Sequence, residues 1–267
     1  MSASPAPFKR ILVPVDFSER AAGALQFAVA LGSKNHAEIE VLHVWHSDLA
    51  TPVTGARDRA KGALRDFVSG LGLRGDVELR RRTEHGDPYL TIQSLVQLSR
   101  YDLLVLAGPE ARRAQPGSVT NALLGAAPIP VLLVPPHCKA RFRSDQERIL
   151  KWERILVPLT LAGDDLQALT QAESLANADA AAIEILLSSD TTPQRLSCFR
   201  ARASSANVQE LSTPEPVTLS VSKRVQTSPF DLVLMAAKRG RAGERPGDGR
   251  ALEVAGAIAC PSLTLPD

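Results

Sequence analysis

A chain of 267 residues is longer than one typical domain and long enough to bury two hydrophobic cores. Its 31 basic and 29 acidic residues leave a formal charge of +2, too small a field to draw in nucleic acid or an anionic membrane. Cys138, Cys198 and Cys260 are odd in number, far apart and without CxxC spacing, so neither a disulfide framework nor a zinc site is supported.

The opening MSASPAPFKRILVPVDF has no long apolar segment behind a basic start, and no stretch approaches transmembrane length; a cytoplasmic protein without membrane contact is expected. Residues 11–15 then read as a buried strand ending at Asp16. Ser18 caps a helix over 19–32, whose Ala21, Leu25, Ala28, Val29 and Leu31 form a helical apolar stripe. A second strand covers 39–45, a helix 57–71, and a third strand 77–83, whose alternating charge suits a sheet edge. Asp87-Pro88 starts the next helix, through Leu98, with proline where the missing N–H costs nothing.

The stretch from Tyr101 to Pro135 organises the rest. Leu103 to Leu106 are an unbroken apolar run ended by Gly108-Pro109, Gly117-Ser118 open a helix over 119–126, and Val131 to Val134 supply the last buried strand. A loop that leaves the carboxyl end of a parallel strand and enters a helix through Gly-Ser gathers free backbone N–H groups and the positive end of the helix dipole, which suits a phosphate. Every α/β domain needs such turns as well, so this loop alone leaves the structural reading open.

The same plan then repeats. RILVP at Arg10 returns at Arg154, Tyr101-Asp-Leu-Leu-Val-Leu-Ala returns as Phe230-Asp-Leu-Val-Leu-Met-Ala, and Pro130-Val-Leu-Leu-Val-Pro as Pro261-Ser-Leu-Thr-Leu-Pro. Three matches in one order make a tandem duplication: domains over 1–136 and 151–267, with a charged linker over 137–150. Arg10 to Asp102 spans 92 residues and Arg154 to Asp231 only 77, so the middle of the second copy is trimmed. Thr191 to Ala206 makes a poor helix, and Pro193, Pro214 and Pro216 interrupt that region. Alternating strands and helices give each copy a doubly wound parallel sheet. The two copies are expected to pack against each other, because the final strand of each would otherwise be an exposed apolar edge.

ILVPVDFSERAAGALQFAVALG, VLHVW, HGDP and DLLVLAG…GSVTNALLGAAPIPVLLV together resemble the universal stress protein family in its tandem form. The resemblance implies an α/β fold of two Rossmann-like (adenine nucleotide alpha hydrolase-like) domains, each a five-stranded parallel sheet flanked by helices, packed as an internal pseudo-dimer through the final strand of each. The family holds nucleotide binders and members that bind none. Its ATP binders share a loop G-x-x-G, nine further residues, then G-[ST]; here Gly108 matches the first glycine and Gly117-Ser118 the last pair, Ala111 replaces the middle glycine, and the loop is four residues shorter. Glu110 adds a like charge beside a triphosphate, which Arg112 and Arg113 offset.

The resemblance also implies that Asp16 faces the adenosine part of ATP, that backbone groups near Val44 contact adenine, and that Gly117, Ser118 and Val119 meet the phosphates. Asp16 reads equally as a plain helix-entry residue. In the second copy Thr160 stands for Asp16, and the loop from Ala237 has its glycines at unmatched spacing, so ATP is expected in the first domain alone.

Other constellations fall away. His43 and His46, three apart on a strand, point to opposite faces and cannot share a metal; His43 reads as a packed or capping histidine. Arg80-Arg81-Arg82 reads as a solvated edge. There is no Walker loop, no G-x-G-x-x-G, no nucleophile elbow, and no nucleophile with a base to activate it. The expectation is therefore a non-catalytic stress-response module whose first domain binds ATP or another adenine nucleotide. A nucleotide-independent scaffold for protein partners is the alternative, a slow ATP hydrolase the third reading, and pairing of whole chains into a homodimer is left open.

Overall fold

The computed structural model describes residues 8–46, 53–98, 101–108, 119–136, 138, 149–159, 165–187, 208–237 and 250–266. The strands are β1 (Arg10–Pro14), β2 (Glu38–Trp45), β3 (Glu78–His85), β4 (Leu103–Ala107), β5 (Val131–Val134), β6 (Arg154–Leu159), β7 (Ala182–Leu187), β8 (Val208–Ser212), β9 (Leu232–Ala237) and β10 (Ser262–Pro266). They form one ten-stranded sheet in the order β3-β2-β1-β4-β5-β10-β9-β6-β7-β8. Each half is parallel throughout, and the halves meet at an antiparallel pair, with Leu133 opposite Ser262, Leu132 opposite Leu263 and Val131 opposite Thr264. The terminal strands of the two copies thus cover each other, as the apolar edges demand. Leu132, Val134, Leu263 and Leu265 are at most 3% exposed, and burying a side chain of this size contributes about 2 kcal/mol.

The helices are α1 (Glu19–Asn35), α2 (Val53–Gly70), α3 (Pro88–Leu98), α4 (Val119–Ala126), α5 (Asp165–Asn177), α6 (Val217–Thr227) and α7 (Arg250–Ala257). Residues of α1, α2 and α5 join one face of the sheet in a single core that runs from Ile11 and Ile39 through Leu132 and Trp152 to Ile155 and Ile185. On the other face α3 and α4 cover Leu12, Leu104 and Leu133, and α6 and α7 cover Leu156, Val233 and Met235. The sheet is doubly wound, as alternating strands and helices require. No helix among the described residues is long and apolar enough to cross a membrane.

Two details explain the repeat in chemical terms. The aspartate after Tyr101 pins β1 to β4: Asp102 accepts from the backbone N–H of Lys9 (2.8 Å) and Arg10 (3.0 Å). Its counterpart Asp231 accepts from Glu153 (2.8 Å) and Arg154 (2.9 Å) in the same way. Across the seam, Lys34 of α1 forms a buried ion pair with Asp179, just beyond α5. Asp179 also accepts from the Trp152 backbone N–H at 2.8 Å, and the Lys34 ammonium lies 5.6 Å from the Trp152 ring.

Some element ends differ from the sequence reading. Helix α1 does not stop at Gly32 but runs to Asn35, with His36 as its left-handed C-cap. Gly32 sits inside the helix because a Cβ there would lie 2.8 Å from Ile39 Cδ1, so its role is close packing of α1 on β2. Strand β3 extends to His85 and is the outermost strand, with Arg80 paired to Glu38 and Glu78 and Arg82 to Glu40 and Glu84. The poor helix read over 191–206 lies outside the described residues. Leu150, the last residue of the expected linker, is buried with Trp152 in the central core.

Candidate functional site

The order of strands reverses at β1, which pairs β2 on one side and β4 on the other. Such a switch point opens a crevice at the carboxyl ends of the strands, since the connections leave in opposite directions. Pro14 stands opposite Leu42, and Leu12 opposite Leu104. Asp16 follows two residues after the end of β1, Gly108 directly after the end of β4, and Val44 is the next-to-last residue of β2. The pairing of β1 with β4 ends at Leu12 and that of β1 with β2 at Pro14, so β1 parts from β4 first.

The turn from β1 into α1 is held by β2. Val15 donates its N–H to the Leu42 carbonyl at 2.8 Å. Its own carbonyl lies 3.0 Å from His43 Nδ1; a carbonyl can only accept, so Nδ1 carries the proton. Phe17 follows with φ of 63°, a left-handed conformation that few residues with a Cβ adopt. Its ring stacks on His43 at 4.1 Å and tilts against Phe67 of α2 at 5.3 Å. Asp16 is exposed, and its Oδ1 accepts from the Ser18 N–H (3.1 Å) and hydroxyl (2.5 Å). Ser18 in turn accepts from the Ala21 N–H at 3.2 Å, which is the expected cap of α1.

Gly108 is buried and donates its N–H to the Val134 carbonyl at 2.7 Å. A Cβ at Gly108 would come within 3.1 Å of Pro135 Cα and of the Val134 carbonyl oxygen. The glycine thus has a packing reason, the close approach of the chain at the end of β5, before any ligand is considered. Val44 is half-buried on β2, and half-buried Val119 opens α4; both pack against the core beneath α3 and α4. Gly117 and Ser118, with Glu110, Ala111, Arg112 and Arg113, lie outside the described residues. Of the expected site residues, Asp16, Val44 and Gly108 thus lie at or just past the carboxyl ends of β1, β2 and β4, and Val119 starts α4. Phe17 went unremarked in the sequence, where nothing marks a left-handed residue, and His43 was legible only as packed or capping.

Residues 7–135 match the family model described as "Universal stress protein family". Residues 7–135 thus form a domain of the universal stress protein family. Among solved structures, a universal stress protein from Archaeoglobus fulgidus DSM 4304 is 15% identical with a TM-score of 0.74, over 96% of this chain and 98% of that one. A putative universal stress protein from Pseudomonas aeruginosa UCBPP-PA14 is 15% identical with a TM-score of 0.60, over 97% and 93%. A functionally unknown protein from Pseudomonas aeruginosa PAO1 is 15% identical with a TM-score of 0.59, over 97% and 92%. At this identity the likeness speaks for the fold, which these chains share over nearly their whole length.

In the second half of the chain the corresponding positions differ. Ala237 ends β9 opposite Pro266 and takes the place of Gly108, which falls beside Pro135 when the register of β4 and β5 is carried on. Thr160 and residues 238–249 lie outside the described residues. His43 has no counterpart histidine: by register its place is taken by Leu187, 5% exposed.

Proposed function

We propose that the first half of this protein binds an adenine nucleotide, ATP foremost, and that the chain acts as a non-catalytic cytoplasmic stress-response module. Residues 1–136 form the nucleotide domain, 137–150 the linker, and 151–267 a degenerate copy that completes the pseudo-dimer. The observation that carries the reading is the reversal of strand order at β1, with Asp16 and Gly108 just past the carboxyl ends of β1 and β4 and Val44 near that of β2, on the strands whose following segments lead to α1, α4 and α2. Backbone groups at Val44 meet adenine, Asp16 accepts from hydroxyls of the ribose, and the amides of Gly117, Ser118 and Val119 meet the phosphates with the α4 dipole behind them. In this reading the bound nucleotide is held rather than consumed.

Calorimetric titration of the full chain with ATP tests the reading, with Asp16→Ala as the control. One saturable site per chain, weakened by the substitution, is expected; no heat at millimolar nucleotide ends the reading. A second reading, a scaffold for protein partners with a vestigial pocket, is favoured by one observation. Gly108 and Asp16 each have a structural duty, against β5 and Ser18 respectively, that needs no ligand. Partner capture that survives Gly117→Val would support it.

A further inference from the structure

We propose that His43, with Phe17 stacked on it, is the positioning residue of the crevice and aims the Asp16 carboxylate; this rests on the nucleotide reading above. The turn Val15-Asp16-Phe17-Ser18 would otherwise have several conformations open to it. Strand β2 fixes both backbone polar groups of Val15, the N–H through the Leu42 carbonyl and the carbonyl through His43 Nδ1. The second of these is a side-chain bond, so sequence controls it. Phe17 keeps a left-handed φ of 63° only while its ring is gripped between His43 and Phe67. Between those two anchors lies Asp16, with Oδ1 turned back to Ser18. Among the described residues its Oδ2 takes no hydrogen bond, which leaves that oxygen to a ligand.

Loss of the His43 donor frees the Val15 carbonyl, and loss of the stack lets Phe17 fall back to a right-handed or extended conformation. Asp16 then points in several directions, and a ligand must select one of them, which weakens binding without removing any contact. The second half has an apolar residue, Leu187, in the place of His43, so it lacks this device together with the aspartate that the device would aim.

The experiment is a double-mutant cycle on the full chain, with ATP as the titrated probe and circular dichroism and thermal unfolding as checks of the fold. His43→Leu is expected to weaken ATP about fivefold, the worth of one net hydrogen bond. In the Asp16→Ala background the same change is expected to have no further effect, because His43 acts through Asp16. His43→Asn, which keeps a donor within reach of the Val15 carbonyl, should bind within about twofold of wild type if that one bond dominates. It also carries the comparison should the leucine variant fail to fold, with Phe17→Leu as a further arm expected to weaken ATP. Equal weakening by His43→Leu in both backgrounds, or full loss in His43→Asn, overturns the positioning role and leaves the nucleotide site standing. A wild-type chain that takes up no ATP overturns both.

Discussion

The ion pair between Lys34 and Asp179 joins the two halves 145 residues apart in sequence, and its removal should be felt by the whole sheet. The Lys34 side chain is 8% exposed and that of Asp179 not at all. Lys34→Met keeps the aliphatic stem against the core and removes only the ammonium, leaving a buried carboxylate without that counter-charge. Breaking a buried pair on one side costs about 3–5 kcal/mol. The lower end applies here, because the Trp152 N–H still bonds Asp179 at 2.8 Å. With an m-value of about 3 kcal/mol/M, a loss of about 3 kcal/mol lowers the urea midpoint by about 1 M. Lys34→Met with Asp179→Asn removes both charges of this pair and keeps an oxygen for Trp152, so it should recover most of the loss. Tryptophan fluorescence in urea reads both. A single-variant shift below about 0.3 M, the value for an exposed pair worth less than about 1 kcal/mol, would refute the reasoning.

Gly108→Ala should destabilise the chain by about 1–3 kcal/mol without any nucleotide, since its Cβ meets the β5 backbone; thermal unfolding of the ligand-free protein measures this. Thr264→Val replaces a buried hydroxyl without a partner among the described residues by a methyl of the same shape and should stabilise by about 1 kcal/mol; a loss in denaturation would show that the hydroxyl is bonded. Burial, the largest cause at both, pushes the thiols of Cys138 and Cys260 up from 9.0 to about 12. The unfolded thiols release their protons first, so the native state holds more protons in that window and stability falls as pH rises from about 9 towards 12. Neither thiol should react with iodoacetamide at pH about 8 until the chain unfolds, because the thiolate is the nucleophile. Trp45 belongs to the first half and Trp152 to the second, so single-tryptophan variants should unfold at one urea concentration if the shared sheet makes the halves one cooperative unit.

The fold class and the duplication were legible because apolar runs such as Leu103 to Leu106 and the return of RILVP give both the period and the repeat. That the copies pack together followed from two apolar edges that needed cover, and the resemblance implied that they meet through the final strands. What stayed hidden lacks a local pattern. Lys34 and Asp179 meet through the tertiary fold alone, and Asp102 looks like any loop aspartate until its two amide donors are in place. Gly32 read as a helix end because glycine breaks helices, whereas it lies within α1 where Ile39 and Val77 pack closely against it. At the crevice, the expectation for Asp16, Val44 and Gly108 came from the family resemblance. The φ of Phe17 and the His43 bond to Val15 depend on β2 and α2 arriving beside the turn.

Native mass spectrometry of the purified full chain, with and without added ATP, tests the central claim most directly. One nucleotide per wild-type chain and markedly lower occupancy in Asp16→Ala is the predicted result. No bound nucleotide at any concentration, or two per chain, would contradict a site confined to the first half.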